Sequence, residues 1–276
     1  MTDMPILTAP FMAMPRIGLG TWPMKGRECR AAVESALSLG YRHIDTAEMY
    51  GNEDAVGAGI RASGLPREQV FVTTKIWNDK TNGAAIRRAF DDCLERLAMP
   101  HVDLLLIHWP SPQLQLEDAL KGLAAIRAEG RARAIGVSNF PPRLLQRAID
   151  AGVQLSCLQV ENHLFLDQSA LRRICRANDM VVTSYSPLAK GASLDASAIG
   201  RVAAKHGATK AQVALAWLLA QDGVAMVPKA ASPARQRENL GALDVTLDAE
   251  DLAALAALPK DRRFVNPGMA PDWVNG

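Results

Sequence analysis

The chain reads as an α/β protein, a single (β/α)8 TIM barrel domain over residues 1–276, with an N-terminal hairpin and a C-terminal tail loop over the site. Three observations predict this. Short continuous apolar runs, as expected of strands buried on both faces, alternate with helical stretches along nearly the whole chain. The length of 276 residues suits one eight-fold barrel, for which about 250 is typical. At least six of the runs end in a polar residue able to do chemistry: Asp45, Lys75, His108, Ser138 with Asn139, Tyr185 and Lys229. In a parallel barrel, different strands contribute active-site residues at their C-terminal ends, so these scattered positions converge on one face.

The elements follow in order. Strand 16–20 precedes helix 27–39, strand 41–45 helix 52–63, strand 70–75 helix 83–98, and strand 102–108 helix 115–129. In the second half, strand 133–138 precedes helix 141–150, strand 156–160 helix 168–178, and strand 181–185 helices 196–206 and 209–221; strand 223–227 and helix 233–241 complete the set. Gly40 and Gly130 stand after helices, where a left-handed cap is needed. Pro141 and Pro142 open a helix, where a missing N–H costs nothing. Residues 1–15 suit a hairpin closing the barrel bottom, and 258–276 form a Pro/Gly-rich tail with Trp273, either frayed or folded over the site.

Composition narrows the class. Hydrophobic residues make up 49% and aromatics only 5%, so Leu, Ile, Val and Ala fill the core. With 31 basic and 29 acidic residues, the net charge of +2 gives no reason to expect nucleic acid or a membrane surface as partner. Cys29, Cys93, Cys157 and Cys175 form no C-x-x-C pair and are expected as buried thiols. MTDMPILTAP lacks a basic region followed by an apolar stretch, so no secretory signal is expected. The most apolar helix, AQVALAWLLAQDG, is shorter than the ~20 residues of a membrane span. The expectation is a cytoplasmic monomer with a small-molecule substrate.

Two stretches imitate a dinucleotide fingerprint. GLGTWP (18–23) has Pro23 at the third glycine position, and GAGIRA (57–62) lies inside a helix rather than between a strand and a helix. The motif has meaning only in that junction, so both are set aside. No Walker loop, H-E-x-x-H, G-x-S-x-G or paired-cysteine pattern is present, and no histidines are spaced as a metal pair. No metal is expected, and any nucleotide would bind without a Rossmann fold.

Asp45 and Lys75 end neighbouring strands and suit an ion pair, which in a barrel is often only structural. Tyr50, five residues after Asp45, would otherwise be a surface residue. Beside a lysine its pKa should fall below the usual ~10, which suits a proton donor near neutral pH. His108 ends the most apolar strand on the same face. Trp22, Trp77 and Trp109 lie just beyond strand ends and suggest walls of an apolar pocket, whereas Trp217 in VALAWLLA is expected in the core.

Over essentially its whole length the chain resembles the aldo-keto reductases. The resemblance rests on DTAEMYGNE (45–53), TTKIW (73–77), VDLLLIHWPSP (102–112), IGVSNF (135–140), SYSPL (184–188) and VPKAASPARQRENL (227–240). RIGLGTW, LIHWPSP and MAPDW make it most similar to the bacterial 2,5-diketo-D-gluconate reductases. The resemblance implies NADPH-dependent reduction of small aldehydes and ketones, such as 2,5-diketo-D-gluconate or methylglyoxal-like dicarbonyls. Tyr50 would be the general acid, tuned by Lys75 and Asp45, and His108 would orient the substrate carbonyl. Ser138, Asn139 and Gln159 would hold the nicotinamide carboxamide, and Tyr185 would stack on its ring. Ser186 and Leu188 would follow the pyrophosphate, Lys229 and Arg235 the 2′-phosphate, and Glu238 and Asn239 the adenine. Trp273 would join the other three tryptophans around the substrate. Ala230 stands where the family often has serine, removing one donor to the 2′-phosphate. The charges of Lys229 and Arg235 still imply NADPH over NADH, with a narrower margin. Lys190 could add a phosphate contact or remain solvated. The alternative reading is an NADP(H)-binding regulatory subunit with slow turnover; another barrel enzyme, such as a phosphate-sugar isomerase, fits less well.

Overall fold

The computed structural model describes residues 4–194 and 197–273. Strands β1 (Ile6–Ala9) and β2 (Met12–Pro15) form an antiparallel hairpin. Eight parallel strands follow in sequential order: β3 (Leu19–Gly20), β4 (His43–Asp45), β5 (Phe71–Ile76), β6 (Val102–Ile107), β7 (Ala132–Ser138), β8 (Cys157–Glu161), β9 (Val181–Tyr185) and β10 (Val224–Met226). Parallel bridges from Ile17 to Met226 and from Gly20 to Lys229 join first to last and close the barrel.

The first barrel strand is shorter than the 16–20 expected. It runs close to its partner at the seam: a Cβ on Gly20 would lie 2.5 Å from the Val227 carbonyl oxygen. The remaining strands start and end within two residues of expectation.

The helices are α1 (Gly26–Ser38), α2 (Glu53–Ala62), α3 (Gly83–Leu97), α4 (Leu116–Ala128), α5 (Pro142–Asp150), α6 (Ser169–Ala177), α7 (Ser197–His206), α8 (Lys210–Leu219), α9 (Pro233–Leu240) and α10 (Ala249–Ala256). Local chemistry sets several ends. Asn82 caps α3 through the Ala85 N–H, and a Thr209–Gln212 capping box starts α8. Gly40 and Gly130 adopt the positive φ their cap positions require, 103° and 73°. Helix α10 was not foreseen. Its Asp248–Asp251 box is a carboxylate variant of the usual Ser/Thr-x-x-Glu/Gln signal. The glycine of GAGIRA serves packing: a Cβ at Gly57 would lie 2.1 Å from the Leu97 carbonyl oxygen. Trp217 is half-buried rather than fully in the core, with Lys260 Nζ 4.9 Å from its ring centroid.

Strand parity sorts the side chains. Ile44, Val72, Leu105, Val137 and Val182 point outward into the main core against the helices. The opposite parity points into the barrel, where Phe71, Leu104, Leu106, Ala134, Cys157, Val181 and Ala225 pack on Met12 and Met14 of the hairpin. The hairpin therefore plugs the bottom, as expected. The same inward parity continued upward carries Asp45, Lys75, His108, Ser138, Gln159 and Tyr185 to the open end. All four cysteines are buried and free. No helix among the described residues is long and apolar enough to cross a membrane.

Candidate active site

At the C-terminal mouth of the barrel is a cavity of about 240 Å³. Asp45, Tyr50, His108, Trp22, Trp109, Asn139, Gln159, Tyr185, Ser186, Lys190 and Lys229 all line it. The β4–β5 register places Asp45 opposite Thr73, and Lys75 lies two residues further on the same inward face. The two side chains therefore meet. Lys75 Nζ is 2.6 Å from Asp45 Oδ1, and both are buried.

Lys75 has three N–H donors and three acceptors. They are Asp45 Oδ1, the Thr46 carbonyl at 2.8 Å and the Tyr50 hydroxyl oxygen at 3.4 Å. Because the Tyr50 oxygen accepts from Lys75, its own O–H is left to donate elsewhere. The remaining Asp45 oxygen accepts from Gln159 Nε2 at 2.7 Å.

The electrostatics differ from the sequence expectation in one respect. Removal from water pushes the Tyr50 phenol above its usual pKa; Lys75 pulls it down, but Asp45 counters that pull, so the net direction is upward. The simple lysine-lowers-tyrosine argument fails here chiefly because the phenol is buried, and further because the ammonium arrives already paired with Asp45. Burial also opposes the charge on Lys75, yet Asp45 and Tyr50 outweigh it and the ammonium is held above its usual pKa. His108 is driven well below its usual pKa by burial and by the Lys75 charge, so its imidazole is neutral. Its Nδ1 is buried without a hydrogen-bond partner among the described residues. The ring stands edge-on to Tyr50 and Trp77, with centroids 5.5 and 5.2 Å away.

The Tyr50 turn is a 3-10 segment, Glu48–Tyr50, and the motif around it is a set of fasteners. Glu48 Oε2 accepts from the Trp77 backbone N–H at 2.8 Å. Asn52 donates to the carbonyls of Thr21 and Met24 and accepts from Thr46. Glu53 accepts from Thr74 at 2.5 Å and from Arg96 at 2.8 Å. Lys25 donates to the Tyr50 carbonyl. The sequence reading missed these residues, although their spacing around Tyr50 in DTAEMYGNE was visible.

A second cavity of about 380 Å³ adjoins the first, and Lys229 lines both. Leu188, Ala230, Arg235, Glu238 and Asn239 line the second. Except for Ser138, the residues expected around an extended nucleotide line one or other of these two cavities. Several are occupied with each other. Asn139 Nδ2 donates to the His108 carbonyl and to Ser138 Oγ, and its Oδ1 accepts from the Tyr185 hydroxyl at 2.7 Å. Arg235 pairs with Glu238 at 2.6 Å on an exposed helix face. Lys229 makes no ion pair among the described residues. Ser138, Trp77 and Trp273 do not line the first cavity; Trp273 meets its wall residue Trp109 edge-on at 6.1 Å. Met49 and Val265, which the sequence reading did not single out, line the mouth.

Residues 16–260 match the Aldo/keto reductase family model. This chain belongs to the aldo/keto reductase family. The reductase is 40% identical over 267 residues to the methylglyoxal reductase DkgB of Escherichia coli O157:H7, covering 95% of this chain and 100% of that protein. It superposes on the crystal structure of a protein provisionally named 2,5-diketo-D-gluconic acid reductase B with a TM-score of 0.94. That pair shares 38% identity, with 98% of this chain and 97% of the other covered. A Gox0644 mutant in complex with NADPH gives a TM-score of 0.90 at 36% identity, covering 98% and 99% of the two chains. No group of three or more potential metal ligands occurs among the described residues of the reductase.

Proposed function

We propose that this reductase converts small aldehydes and ketones to alcohols with NADPH, and that dicarbonyls such as methylglyoxal or 2,5-diketo-D-gluconate are its substrate class. The observation that carries this reading is the Tyr50 oxygen held by a buried Lys75–Asp45 pair at the wall of a cavity that His108 also lines. The names of the relatives support the substrate class, and the NADPH-bound neighbour supports the cofactor.

The residues fit that cofactor on geometric grounds. The two cavities meet at Lys229, a cation without an ion-pair partner among the described residues, and a long nucleotide needs such a track with a charge near the phosphates. Tyr185 and the Asn139–Gln159 amides would hold the nicotinamide end. Lys229 and Arg235 would hold the 2′-phosphate, with Glu238 and Asn239 at the adenine. Ala230 is buried and offers no hydroxyl there. When bound, the reduced nicotinamide supplies hydride to the carbonyl carbon.

As negative charge grows on the substrate oxygen, donors already aimed at it stabilise the transition state more than the ground state. Tyr50 donates its proton and is stabilised afterwards by Lys75. Neutral His108 offers one N–H and holds the oxygen in place. A phenol held above its usual pKa stays protonated, as a general acid must. Loss of NADPH absorbance on adding methylglyoxal or a diketo-gluconate tests the reading; no turnover with either, or with a wider carbonyl panel, would favour the slow regulatory subunit.

Two expectations follow from the charges. Because Tyr50 is raised and His108 lowered, neither titrates between about pH 7 and pH 9, so reduction should be flat there. Alcohol oxidation needs the tyrosinate as base and should keep rising with pH. A reduction profile that falls with an apparent pKa in that window contradicts the assignment.

Arg235→Ala should raise KM for NADPH by about tenfold, the lower end of a charge-assisted bond because Glu238 already competes for the guanidinium. KM for NADH should barely move. Equal effects on both cofactors count against a 2′-phosphate contact.

A further inference from the structure

The C-terminal tail is fastened to the barrel in two stages. Asp167 N–H donates to the Lys260 carbonyl and Arg262 N–H to the Phe165 carbonyl, which secures the chain up to Arg262. Beyond that point one side chain takes over. Glu161, at the end of β8 and fully buried, has both oxygens turned to the tail. Its Oε1 accepts from the Phe264 N–H at 2.7 Å and from His163 at 3.0 Å. Its Oε2 accepts from the Val265 N–H at 3.1 Å and faces Arg263 at 3.7 Å.

Two of the tail residues so held lead to the pocket. Val265 lines the cavity itself. The Arg263 guanidinium lies 3.6 Å from the centroid of the Trp273 ring, which in turn meets Trp109 in the cavity wall. A buried carboxylate left without these donors would carry a large desolvation cost, so the carboxylate and the tail hold each other.

We propose that Glu161 is a positioning residue for substrate: it never touches the carbonyl compound but pins Arg263, Phe264 and Val265 so that the tail forms one wall of the pocket. This rests on the carbonyl-reductase reading. Replacing the carboxylate with an amide of the same size should weaken substrate binding while leaving the Tyr50–Lys75–Asp45 geometry and the nucleotide track alone, because the β8 backbone that also carries Gln159 keeps its ladder to β7 and β9.

The test is Glu161→Gln. An amide keeps one acceptor oxygen but turns a donor toward the Val265 N–H and Arg263, so half the clamp is lost. Hydrogen–deuterium exchange of the peptide containing Phe264 and Val265 should accelerate about tenfold, with barrel-strand peptides unchanged. KM for the carbonyl substrate should rise about fivefold, with kcat and NADPH affinity each within about twofold of wild type. Unchanged exchange at the tail overturns the proposal. So does faster exchange with an unmoved KM, or a parallel loss of cofactor affinity. If Glu161→Gln does not fold, Arg263→Ala loosens the same wall from the tail side. It should raise the same KM and shift the tryptophan emission, and no change in KM overturns the proposal equally. Wild-type protein silent toward every carbonyl sinks the reductase reading instead, while the exchange experiment still decides whether Glu161 anchors the tail.

Discussion

Replacing Tyr50 with Phe is expected to lower kcat for carbonyl reduction by about 10²–10⁴-fold, the range for losing a positioned general acid. The substitution removes one oxygen. The ring keeps its packing on Trp22 and His108, at centroid distances of 5.1 and 5.5 Å, so the pocket should retain its shape. KM for NADPH should stay near wild type, since on the proposed mechanism the phenol meets the substrate carbonyl rather than the nucleotide. Lys75 loses one of three acceptors but keeps Asp45 and the Thr46 carbonyl, so stability should change little. Steady-state kinetics beside a thermal melt separates these effects. A variant turning over near the wild-type rate would remove Tyr50 from the mechanism.

Lys75→Met should be the most destabilising single change in the site, by about 3–5 kcal/mol, because it strands a carboxylate in the barrel. Asp45 would keep only the Gln159 amide as a side-chain donor, and the Thr46 carbonyl would lose its Lys75 hydrogen bond. Turnover should fall as well, since the tyrosinate formed on proton transfer loses its neighbouring cation. The two losses can be separated. Asp45→Asn combined with Lys75→Met removes both charges and should recover much of the stability without recovering activity. Urea melts of the single and double variants give the comparison. A double variant no more stable than Lys75→Met alone would show that the cost is lost packing rather than a stranded charge.

The order of strands and helices was legible because each buried parallel strand is a continuous apolar run, and because residues such as Gly40, Gly130 and Pro142 punctuate the helices. Asp45, Lys75 and His108 were legible for the same reason: a polar residue closing an apolar run stands at the barrel mouth. Helix α10 escaped because its capping signal is two aspartates, and Trp217 is only half-buried, its ring partly covered by Lys260 from a distant part of the chain. The Glu48, Asn52 and Glu53 fasteners were readable as letters but not as contacts, since their partners Trp77, Thr21 and Thr74 come from other elements.

By itself, then, the order of residues determined the barrel, its inward and outward faces, and which polar groups arrive at its open end, because a two-residue repeat in a closed parallel sheet leaves no other place for them. The folded arrangement decided what those groups are electrostatically and how the pocket is walled. Tyr50 is raised rather than lowered because burial and Asp45 together outweigh Lys75. The tail lies over the cavity because a buried Glu161 carboxylate finds its donors there. Both depend on water excluded and on distances between segments far apart in the chain, quantities that local spacing does not contain.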